Sequence, residues 1–376
     1  MNRGGLETML MNYYRAIDRD QIQFDFMVHR TERGHYDDEI EELGGRIFRM
    51  PPIRPGNYSL YFKKLDFFFE ENHEYRIVHS HINENSSFVL RAAKKANVPI
   101  RIAHSHASGI GLDIKIPFRL YARSYIKNNT NHYIACSRNA GKWLFGKKVL
   151  ESADFTILKN AVNAKDFIFN PDIREQVRKE LEISNELVIG HVGRFNRLKN
   201  HEFLIDVFKL IHQKKENSIL ILVGEGELKE KIQRKVERLG LSSNVKFLGL
   251  RDDIPKIMQS IDLFLFPSIF EGLPVALVEA QAAGIKCIVS DTISKEVDLT
   301  GRVEFISLKK SPHYWSTKVL TSRYTHIDTL EKIREEGFDT ETVANWLSDF
   351  YLNSYKMTLS GGSKYESNNN YLHSNF

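Results

Sequence analysis

The chain has 376 residues, 42% of them hydrophobic and 27% charged, which is typical of folded globular proteins and unlike disordered chains or disulfide-stapled modules. At roughly 100–200 residues per domain, this length fits two domains. Its 53 basic and 48 acidic residues give a net charge of only +5, so the overall charge does not favour nucleic acid as a partner.

The two cysteines, Cys136 and Cys287, lie far apart in apolar runs. This pattern suits a reducing compartment and excludes a disulfide framework or a structural zinc site. The longest apolar stretches, such as 261–270, are shorter than the roughly 20 residues of a membrane span, and the first residues lack the pattern of a secretory signal. We expect a cytoplasmic protein that contacts a membrane only at its surface.

Short apolar, β-rich runs alternate with stretches of helical period, which predicts an α/β fold built from βα units with parallel sheets. In the first half, strands are predicted at 23–29, 46–50, 75–79, 99–104 and 132–137, and helices at 6–16, 59–71, 86–96 and 116–127. In the second half, strands are predicted at 187–192, 219–223, 245–248, 263–266 and 286–290, and the pattern fades near 305.

These elements predict two doubly wound, Rossmann-like domains, 1–160 and 161–335, joined near 160–164. A late helix is expected within 336–358. The Ser/Asn/Gly-rich segment 359–376 is expected to be a disordered tail.

Basic residues concentrate in 101–150, a segment that contains nine of them and only one acidic residue, Asp113. The side chains of Lys115, Arg119, Arg123 and Lys127 recur every four residues and predict one stripe along a helix. Like charges at this spacing cost roughly 0.2–0.5 kcal/mol per pair, so the stripe favours an anionic partner such as a membrane surface. A solvated helix face explains the same pattern.

A basic loop follows the predicted strand 187–192. Its cations Arg194 and Lys199 could neutralise a diphosphate without a metal ion, the first as a planar fork and the second as a point charge. Exposed βα loops are often basic without such a role. Gly224 and Gly226, after the next strand, lack the third glycine of a dinucleotide fingerprint, which argues against NAD.

The strand 263–266 is followed by a turn and a helix that Pro274 is expected to begin. Backbone N–H groups from Gly272 and Leu273 onward then point at the carboxyl edge of the sheet, where α/β proteins bind ligands and where helix dipoles favour anions. Glu271 lies in this turn, and by itself it is also explained as an acid that complements the dipole.

Glu279 comes eight residues after Glu271, about one and a half turns into the helix. The helix around it is apolar on nearly every side, which disfavours a solvated face for this carboxylate. A lone acid in a buried helix needs a hydrogen-bond donor, and a ligand can supply one.

Two His-Ser-His sequences, 79–81 and 104–106, each end a predicted strand. No Asp, Glu or Cys stands beside them at ligand spacing, so neutral, hydrogen-bonding imidazoles fit better than a metal site. Asp18 and Asp20 are spaced like the carboxylates of metal-dependent sugar transferases, but such a pair arises easily by chance among 48 acids. No metal site is predicted.

Taken together, these segments resemble the retaining glycosyltransferases of family 4 over most of residues 2–300. The resemblance rests on these segments, in order and spacing: NRGGLET at 2–8, the two His strands, ACS at 135–137, NAVN at 160–163, Gly193-Arg194 through Lys199-Asn200, VGEG at 223–226, FLG at 247–249 and FEGLP at 270–274 through Glu279. Further detail is similar to the bacterial capsular and exopolysaccharide branch.

The resemblance implies a GT-B fold with two Rossmann-like domains facing across a cleft, the first for the acceptor and the second for a nucleotide-sugar donor, which we expect to be a UDP-sugar. It also implies a final helix that crosses back to the first domain. No metal or other cofactor is implied. The partners it implies are the donor, a glycan or lipid-linked glycan acceptor, and an anionic membrane surface at the inner face of the cell membrane.

Residue roles carried over from the family are expectations of the same kind. Arg194 and Lys199 would hold the donor diphosphate, Glu271 the sugar hydroxyls and Glu279 the ribose hydroxyls. A His beside the anomeric carbon is either His106, which is slightly preferred, or His104. The donor-binding set is completed by Gly4, Gly5, Gly193, Arg251, Gly272 and Leu273.

In the front-face mechanism favoured for this family, the leaving phosphate takes the acceptor proton, and the cations stabilise the charge that develops on it. A covalent double displacement through Glu271 is the alternative mechanism. Two other functions are compatible with the pattern, a GT-B nucleotide-sugar epimerase and an inactive scaffold that keeps the fold.

In the family, an apolar strand precedes the glycine loop, whereas here Gly4 and Gly5 follow the first residues directly. The resemblance therefore implies either a start further upstream or a truncated gene. A chain without that strand is expected to be less stable and poorly active, because the neighbouring strands lose ladder partners.

Overall fold

The computed structural model describes residues 1–2, 4–54, 56–107, 109 and 116–360. These residues form two compact units. The first unit contains residues 1–160 and the helix that begins at Thr340, and the second contains residues 161–339. Within the described part of the chain, no helix combines the length and apolar character that crossing a bilayer requires.

The first unit is built from parallel strands and the helices that connect them. Its strands are β1 (Phe26–Val28), β2 (Ile47–Arg49), β3 (Ile77–Ser80), β4 (Ile100–Ser105), β5 (His132–Ala135) and β6 (Phe155–Ile157). Its first six helices are α1 (Gly5–Ala16), α2 (Asp37–Glu42), α3 (Tyr58–Glu71), α4 (Ser86–Lys95), α5 (Ile116–Asn129) and α6 (Arg138–Phe145). Strand β6 and helices α2 and α6 were not predicted; the two helices are short.

The strands of this unit form two parallel pieces, β1 with β2, and β3-β4-β5-β6 in that order. Between β1 and β3 lies a cavity of about 770 Å³ bordered by consecutive residues of both strands. Consecutive lining residues indicate that backbone edges, and not one side-chain face, border the cavity. Among the described residues, no strand lies between β1 and β3.

The second unit is a single six-stranded parallel sheet with helices around it. Its strands are β7 (Leu187–Val192), β8 (Ser218–Val223), β9 (Val245–Gly249), β10 (Leu263–Phe266), β11 (Lys286–Ser290) and β12 (Val303–Ile306). Its helices are α7 (Pro171–Glu180), α8 (His201–Lys214), α9 (Lys229–Arg238), α10 (Ile254–Ser260), α11 (Val275–Ala282), α12 (Pro312–Leu320) and α13 (Leu330–Glu335). The strands coincide closely with the predicted ones, and β12 adds a sixth where the pattern fades.

Local sequence explains these elements. Strand β8 is buried at every position, as expected for a continuous apolar run inside a parallel sheet covered on both faces. Helix α7 begins with Pro171, and the side chain of Asn170 accepts hydrogen bonds from the N–H groups of Asp172 and Ile173. Helix α12 begins the same way, with Ser311 as its cap before Pro312.

After the second unit, the chain returns to the first one through α14 (Thr340–Leu359). Helix α14 packs against α1 and buries Leu347, Phe350 and Tyr351. It is longer than the predicted helix by a few residues at its end. The expected disordered tail falls mainly on residues 361–376, outside the described part of the chain.

Candidate active site

The strand order of the second unit places its ligand-binding edge. The order β12-β11-β10-β7-β8-β9 reverses direction between β7 and β10, so the connections after these two strands leave on opposite faces of the sheet. In doubly wound sheets, ligands bind at the carboxyl ends of the strands at such a switch point. The two loops singled out from the sequence, 193–200 after β7 and 267–274 after β10, both begin there.

These two loops bring Lys199 and Glu271 together. Nζ of Lys199 lies 2.8 Å from Oε1 of Glu271, and both side chains are more than four-fifths buried. By distance this contact is an ion pair. Its geometry is not that of a hydrogen bond, so Oε1 of Glu271 has no hydrogen-bond partner among the described residues. Nζ also lies 4.6 Å from the ring centroid of Phe266. The two charges neutralise each other, and each group keeps bonding capacity for a ligand.

Backbone and amide hydrogen bonds tie the two loops to each other. The N–H of Ile269 donates to the carbonyl of Leu198 (2.7 Å), and the side-chain amide of Asn200 donates to the carbonyl of Pro267 (3.1 Å). Thr292 Oγ1 donates to the carbonyl of Ser268 from the end of β11 (2.9 Å). The positions of Lys199 and Glu271 are therefore set by rigid neighbours.

Glycines make this edge of the sheet close-packed. A Cβ on Gly193 would lie 3.1 Å from Nε2 of His191 and from the side chain of Lys199. Gly224 has φ +135 and Gly226 has φ +157, and a Cβ on either would lie within 2.5 Å of a backbone oxygen in the loop after β7. Both positions therefore require glycine for a turn and a close approach, as the sequence suggested.

Glu279 lies on α11, half-buried beside the apolar core of the unit. Its carboxylate accepts no hydrogen bond from the described residues, and burial alone raises its pKa to about 7. A buried carboxyl group without a donor is costly in its charged form. Hydroxyl groups of a ligand would supply donors to it.

The two arginines predicted to bind the donor, Arg194 and Arg251, contact other acidic residues. Arg194 is 72% exposed, and its guanidinium lies 3.4 Å from Glu227. Arg251, after β9, forms two hydrogen bonds to Asp253, at 2.8 and 2.6 Å. Neither arginine belongs to the Lys199–Glu271 contact.

The turn before α11 differs in one detail from the sequence expectation. Pro274 is the N-cap of α11, with φ −77 and ψ 107, and the first helical residue is Val275. The expectation that Pro274 begins the helix is wrong by one residue, because its ψ is extended. Gly272 and Leu273 lie just ahead of the N-terminus as expected, and a Cβ on Gly272 would meet no atom within 4 Å.

Two buried histidines beside Lys199 escaped the sequence analysis. Nδ1 of His191 donates to the carbonyl of Leu265 (2.9 Å), which leaves Nε2 as the unprotonated nitrogen. Nε2 of His191 and both ring nitrogens of His201 are buried without a partner among the described residues, and burial lowers the pKa of His201 to about 4. The sequence offered one signal for them: His191 lies near the end of β7 and His201 begins α8, so the two histidines flank the basic loop.

In the first unit, the two His-Ser-His sequences meet at the carboxyl ends of the adjacent strands β3 and β4. Nε2 of His79 lies 3.2 Å from Nδ1 of His104, and Nδ1 of His81 lies 3.1 Å from Nε2 of His106. Burial lowers the pKa of His79 and of His106 to about 3. The structure thus joins both candidates for the predicted catalytic His, His104 and His106, in one group of neutral imidazoles.

Helix α14 adds a residue that sequence reasoning missed. The hydroxyl of Tyr351 lies 2.6 Å from Nδ1 of His79. Gly4 is the N-cap of α1 and Gly5 its first residue. Asp18 accepts from the N–H of Asp20 (3.1 Å) and from the side chain of Gln21 (2.7 Å), which makes it part of a local turn.

The predicted basic stripe includes three described residues of α5, and two of them contact other side chains. Arg119 pairs with the buried carboxylate of Glu84, and Arg123 lies 5.3 Å from the ring centroid of Trp143. Lys127 is exposed, and Lys115 lies outside the described residues. Helical spacing put these side chains on one side of α5, but a buried acid and an aromatic ring on neighbouring elements engage two of them.

Comparison with known proteins assigns the family. The model described as Glycosyltransferase Family 4 matches residues 3–166, and that described as Glycosyl transferases group 1 matches residues 172–300. EpsF of Bacillus subtilis (strain 168), assigned as a glycosyltransferase, is 36% identical over 363 residues, 93% of this chain and 94% of EpsF. This chain belongs to glycosyltransferase family 4. The resemblance read from the sequence is confirmed.

Two further family relatives extend the comparison. The capsular polysaccharide biosynthesis glycosyltransferase CapH of Staphylococcus aureus is 28% identical, over 94% of this chain and 96% of CapH. The UDP-Gal:alpha-D-GlcNAc-diphosphoundecaprenol alpha-1,3-galactosyltransferase of Escherichia coli is 28% identical, over 76% of each chain. By family and relatives, this chain is a glycosyltransferase of the kind that builds polysaccharides.

A solved structure supports the fold. Anabaena Alr3699/HepE in complex with UDP-glucose shares 18% of residues with this chain, covers 96% of it and 97% of its own length, and has a TM-score of 0.69. A likeness at this identity shows the fold alone. The expected GT-B fold, an α/β architecture with two Rossmann-like domains, is confirmed.

Proposed function

We propose that this chain is a retaining, metal-independent glycosyltransferase that moves a hexose or N-acetylhexosamine from a UDP-sugar to a lipid-diphosphate-linked polysaccharide precursor. The observation that carries the proposal is the Lys199–Glu271 pair, held at 2.8 Å at the switch point of the second unit. A cation and a carboxylate at this edge match the two parts of such a donor, a diphosphate and a sugar with hydroxyl groups.

In this proposal each group of the second unit has one task. Lys199, joined by Arg194, holds the diphosphate, while Glu271 accepts hydrogen bonds from sugar hydroxyls and Glu279 from the ribose. The bond between the anomeric carbon and the diphosphate oxygen breaks, the acceptor hydroxyl bonds to that carbon from the same face, and its proton passes to the leaving phosphate. Preorganised cations stabilise the charge that develops on the phosphate, so the step requires no divalent metal.

The acceptor side of the proposal rests on the first unit and on the relatives. The name of the E. coli relative specifies a UDP-sugar donor and a diphosphoundecaprenol acceptor, and this chain shares its family. On α5, Leu120, Tyr121 and Tyr125 are each about half exposed next to the exposed Lys127. Aromatic and basic side chains together suit the interface of an anionic membrane. We place the enzyme at the inner face of the cell membrane.

A donor and acceptor panel tests the proposal. The purified chain is incubated with UDP-, GDP- and ADP-sugars, with and without undecaprenyl-diphosphate-linked sugars, in the presence of EDTA. The expected product carries a new α-linkage from an α-linked UDP-sugar, as read from the anomeric coupling by NMR. An inverted linkage or loss of turnover in EDTA would contradict the proposal, and a changed free sugar nucleotide without acceptor would indicate an epimerase.

A further inference from the structure

Four imidazoles of the first unit form one cluster at the carboxyl ends of β3 and β4. A ring nitrogen from each of His79, His81 and His104 lies within 4.8 Å of the other two. His106 stands beside them, with its ring centroid 4.0 Å from that of His104. Among the described residues, the three side chains of this group are all histidines, so each offers a ring nitrogen as its donor atom.

Within the hydrogen bonds of the cluster, one buried ring nitrogen has no partner among the described residues. Each neutral imidazole has one donor and one acceptor nitrogen. His79 uses both of its nitrogens, one toward Tyr351 and one toward Nδ1 of His104. Whichever way the protons are arranged, Nε2 of His104 is buried without a partner among the described residues. Leaving such an atom unsatisfied costs roughly 1–3 kcal/mol, so it marks a place for a ligand.

We propose that His79, His81 and His104 bind a transition metal ion, with Zn²⁺ as the best match. Imidazole nitrogen suits Zn²⁺, whereas Mg²⁺ and Ca²⁺ prefer oxygen ligands that this cluster lacks. For Zn–N bonds of about 2.0–2.1 Å, nitrogens no more than 4.8 Å apart each need to move by under about 1 Å. Three ligands leave the fourth position of a tetrahedral ion open.

The surrounding contacts resemble those that orient metal ligands elsewhere. Metal-bound histidines usually hydrogen-bond through their second nitrogen, which fixes the ring orientation. Tyr351 holds Nδ1 of His79, and His106 holds Nδ1 of His81, so Nε2 of both rings is the nitrogen available to the ion. A neutral imidazole is the form of histidine that binds a metal ion. On binding the ion, Nε2 of His79 would give up its hydrogen bond to Nδ1 of His104, and His104 would bind through its unpartnered Nε2.

The site is tested by binding alone, independently of the proposed glycosyl transfer. Full-length protein without an affinity tag is stripped with chelator and titrated with Co²⁺, read by its visible absorption, and with Zn²⁺ by calorimetry. One ion per chain is expected. Loss of an outer partner of a ligand already costs about 10–100-fold in affinity, so His81→Gln and His104→Gln should each weaken binding by about 100-fold or more.

His73→Gln is the matched control, because His73 is exposed in the same unit, and it should bind Zn²⁺ like the unaltered chain. Near-ultraviolet circular dichroism checks that the variants fold, and the two variants provide independent tests. Excess Zn²⁺ should also raise the melting temperature of the unaltered chain by mass action. Equal Zn²⁺ affinity in the control and both cluster variants, or no melting shift in the unaltered chain, would overturn the site.

Discussion

The hydroxyl of Tyr351 lies 2.6 Å from Nδ1 of His79, although 272 residues separate the two in the chain. Tyr351 comes from the helix that returns to the first unit after the second one, and its side chain is buried. This contact thus links α14, the last helix among the described residues, to the histidine cluster at the end of β3.

Tyr351→Phe should lower the stability of the first unit. It leaves Nδ1 of His79 unsatisfied in a buried site, at a cost of roughly 1–3 kcal/mol. The melting temperature should fall by about 2–4 °C for each kcal/mol in a domain of this size. Tyr355→Phe on the same helix is the control, because no hydrogen bond of the Tyr355 hydroxyl to a described residue is present. Equal melting of both variants in a thermal scan would remove this role.

Lys199→Ala and Arg194→Ala should each lower turnover by about 10²-fold or more, since loss of one preorganised donor at a developing charge costs on that order. Arg194 is expected to act only when the donor is bound, because the one ion pair that it forms with a described residue is a loose contact with Glu227. Arg234→Ala, an exposed arginine on α9, is the matched control and should keep full turnover. Near-normal rates in both Lys199 and Arg194 variants would refute the diphosphate assignment.

Glu271→Gln and Glu279→Gln should separate sugar from nucleotide recognition. Glu279→Gln is expected to weaken binding of free UDP, whereas Glu271→Gln should leave UDP binding intact and impair use of the UDP-sugar. The reason is their different placement, one in the loop with Lys199 and the other inside α11. Calorimetry with UDP and kinetics with the donor measure the two effects. Equal losses of UDP affinity in both variants would contradict this division.

Nucleotide binding should strengthen as the pH rises through 7. Burial raises the pKa of Glu279 to about 7 in the free protein, and ligand hydroxyls favour the charged form, which lowers that pKa in the complex. Binding therefore releases a proton below about pH 7, and UDP affinity should rise by up to about tenfold from pH 6 to pH 8. Calorimetry in buffers of different ionisation enthalpy measures the proton released.

The same titration with Glu279→Gln isolates this carboxyl group, because the phosphates of UDP titrate in both proteins. The variant should show a flatter dependence of affinity on pH and release fewer protons. An identical pH profile for the two proteins would mean that Glu279 does not bind the nucleotide.

Membrane binding should depend on the exposed face of α5 and not on Arg119. The double variant Tyr121→Ser/Lys127→Glu should reduce co-sedimentation with phosphatidylglycerol vesicles at least about tenfold, since each basic residue near such a surface contributes about 1 kcal/mol. Raising the salt concentration should weaken binding of the unaltered chain. Lys231→Glu, an exposed change on α9 of the second unit, is the control. Unchanged sedimentation of the double variant would contradict membrane binding by α5 and would mean that its exposed face is only solvated.

Much of the fold was predictable because local sequence patterns indicate most of its strands and helices. The apolar runs that form β7, β8, β10 and β11 are buried on both faces, so their composition predicts strands without any knowledge of the tertiary structure. Short elements such as β6 and α2 carry too few residues for a period to stand out. The residues of the donor loops were identified by the same local means, since glycine, proline and charge cluster where strands end.

What the sequence by itself determined is therefore the strand and helix pattern, the family, and the loops that carry Lys199, Glu271 and the two His-Ser-His segments. Tertiary structure alone decided which side chains meet. It paired Lys199 with Glu271, turned Arg119 toward Glu84 and brought Tyr351 to His79. Spacing along one element predicts the face a residue occupies, but contacts between elements depend on strand order and on burial, which no local pattern contains.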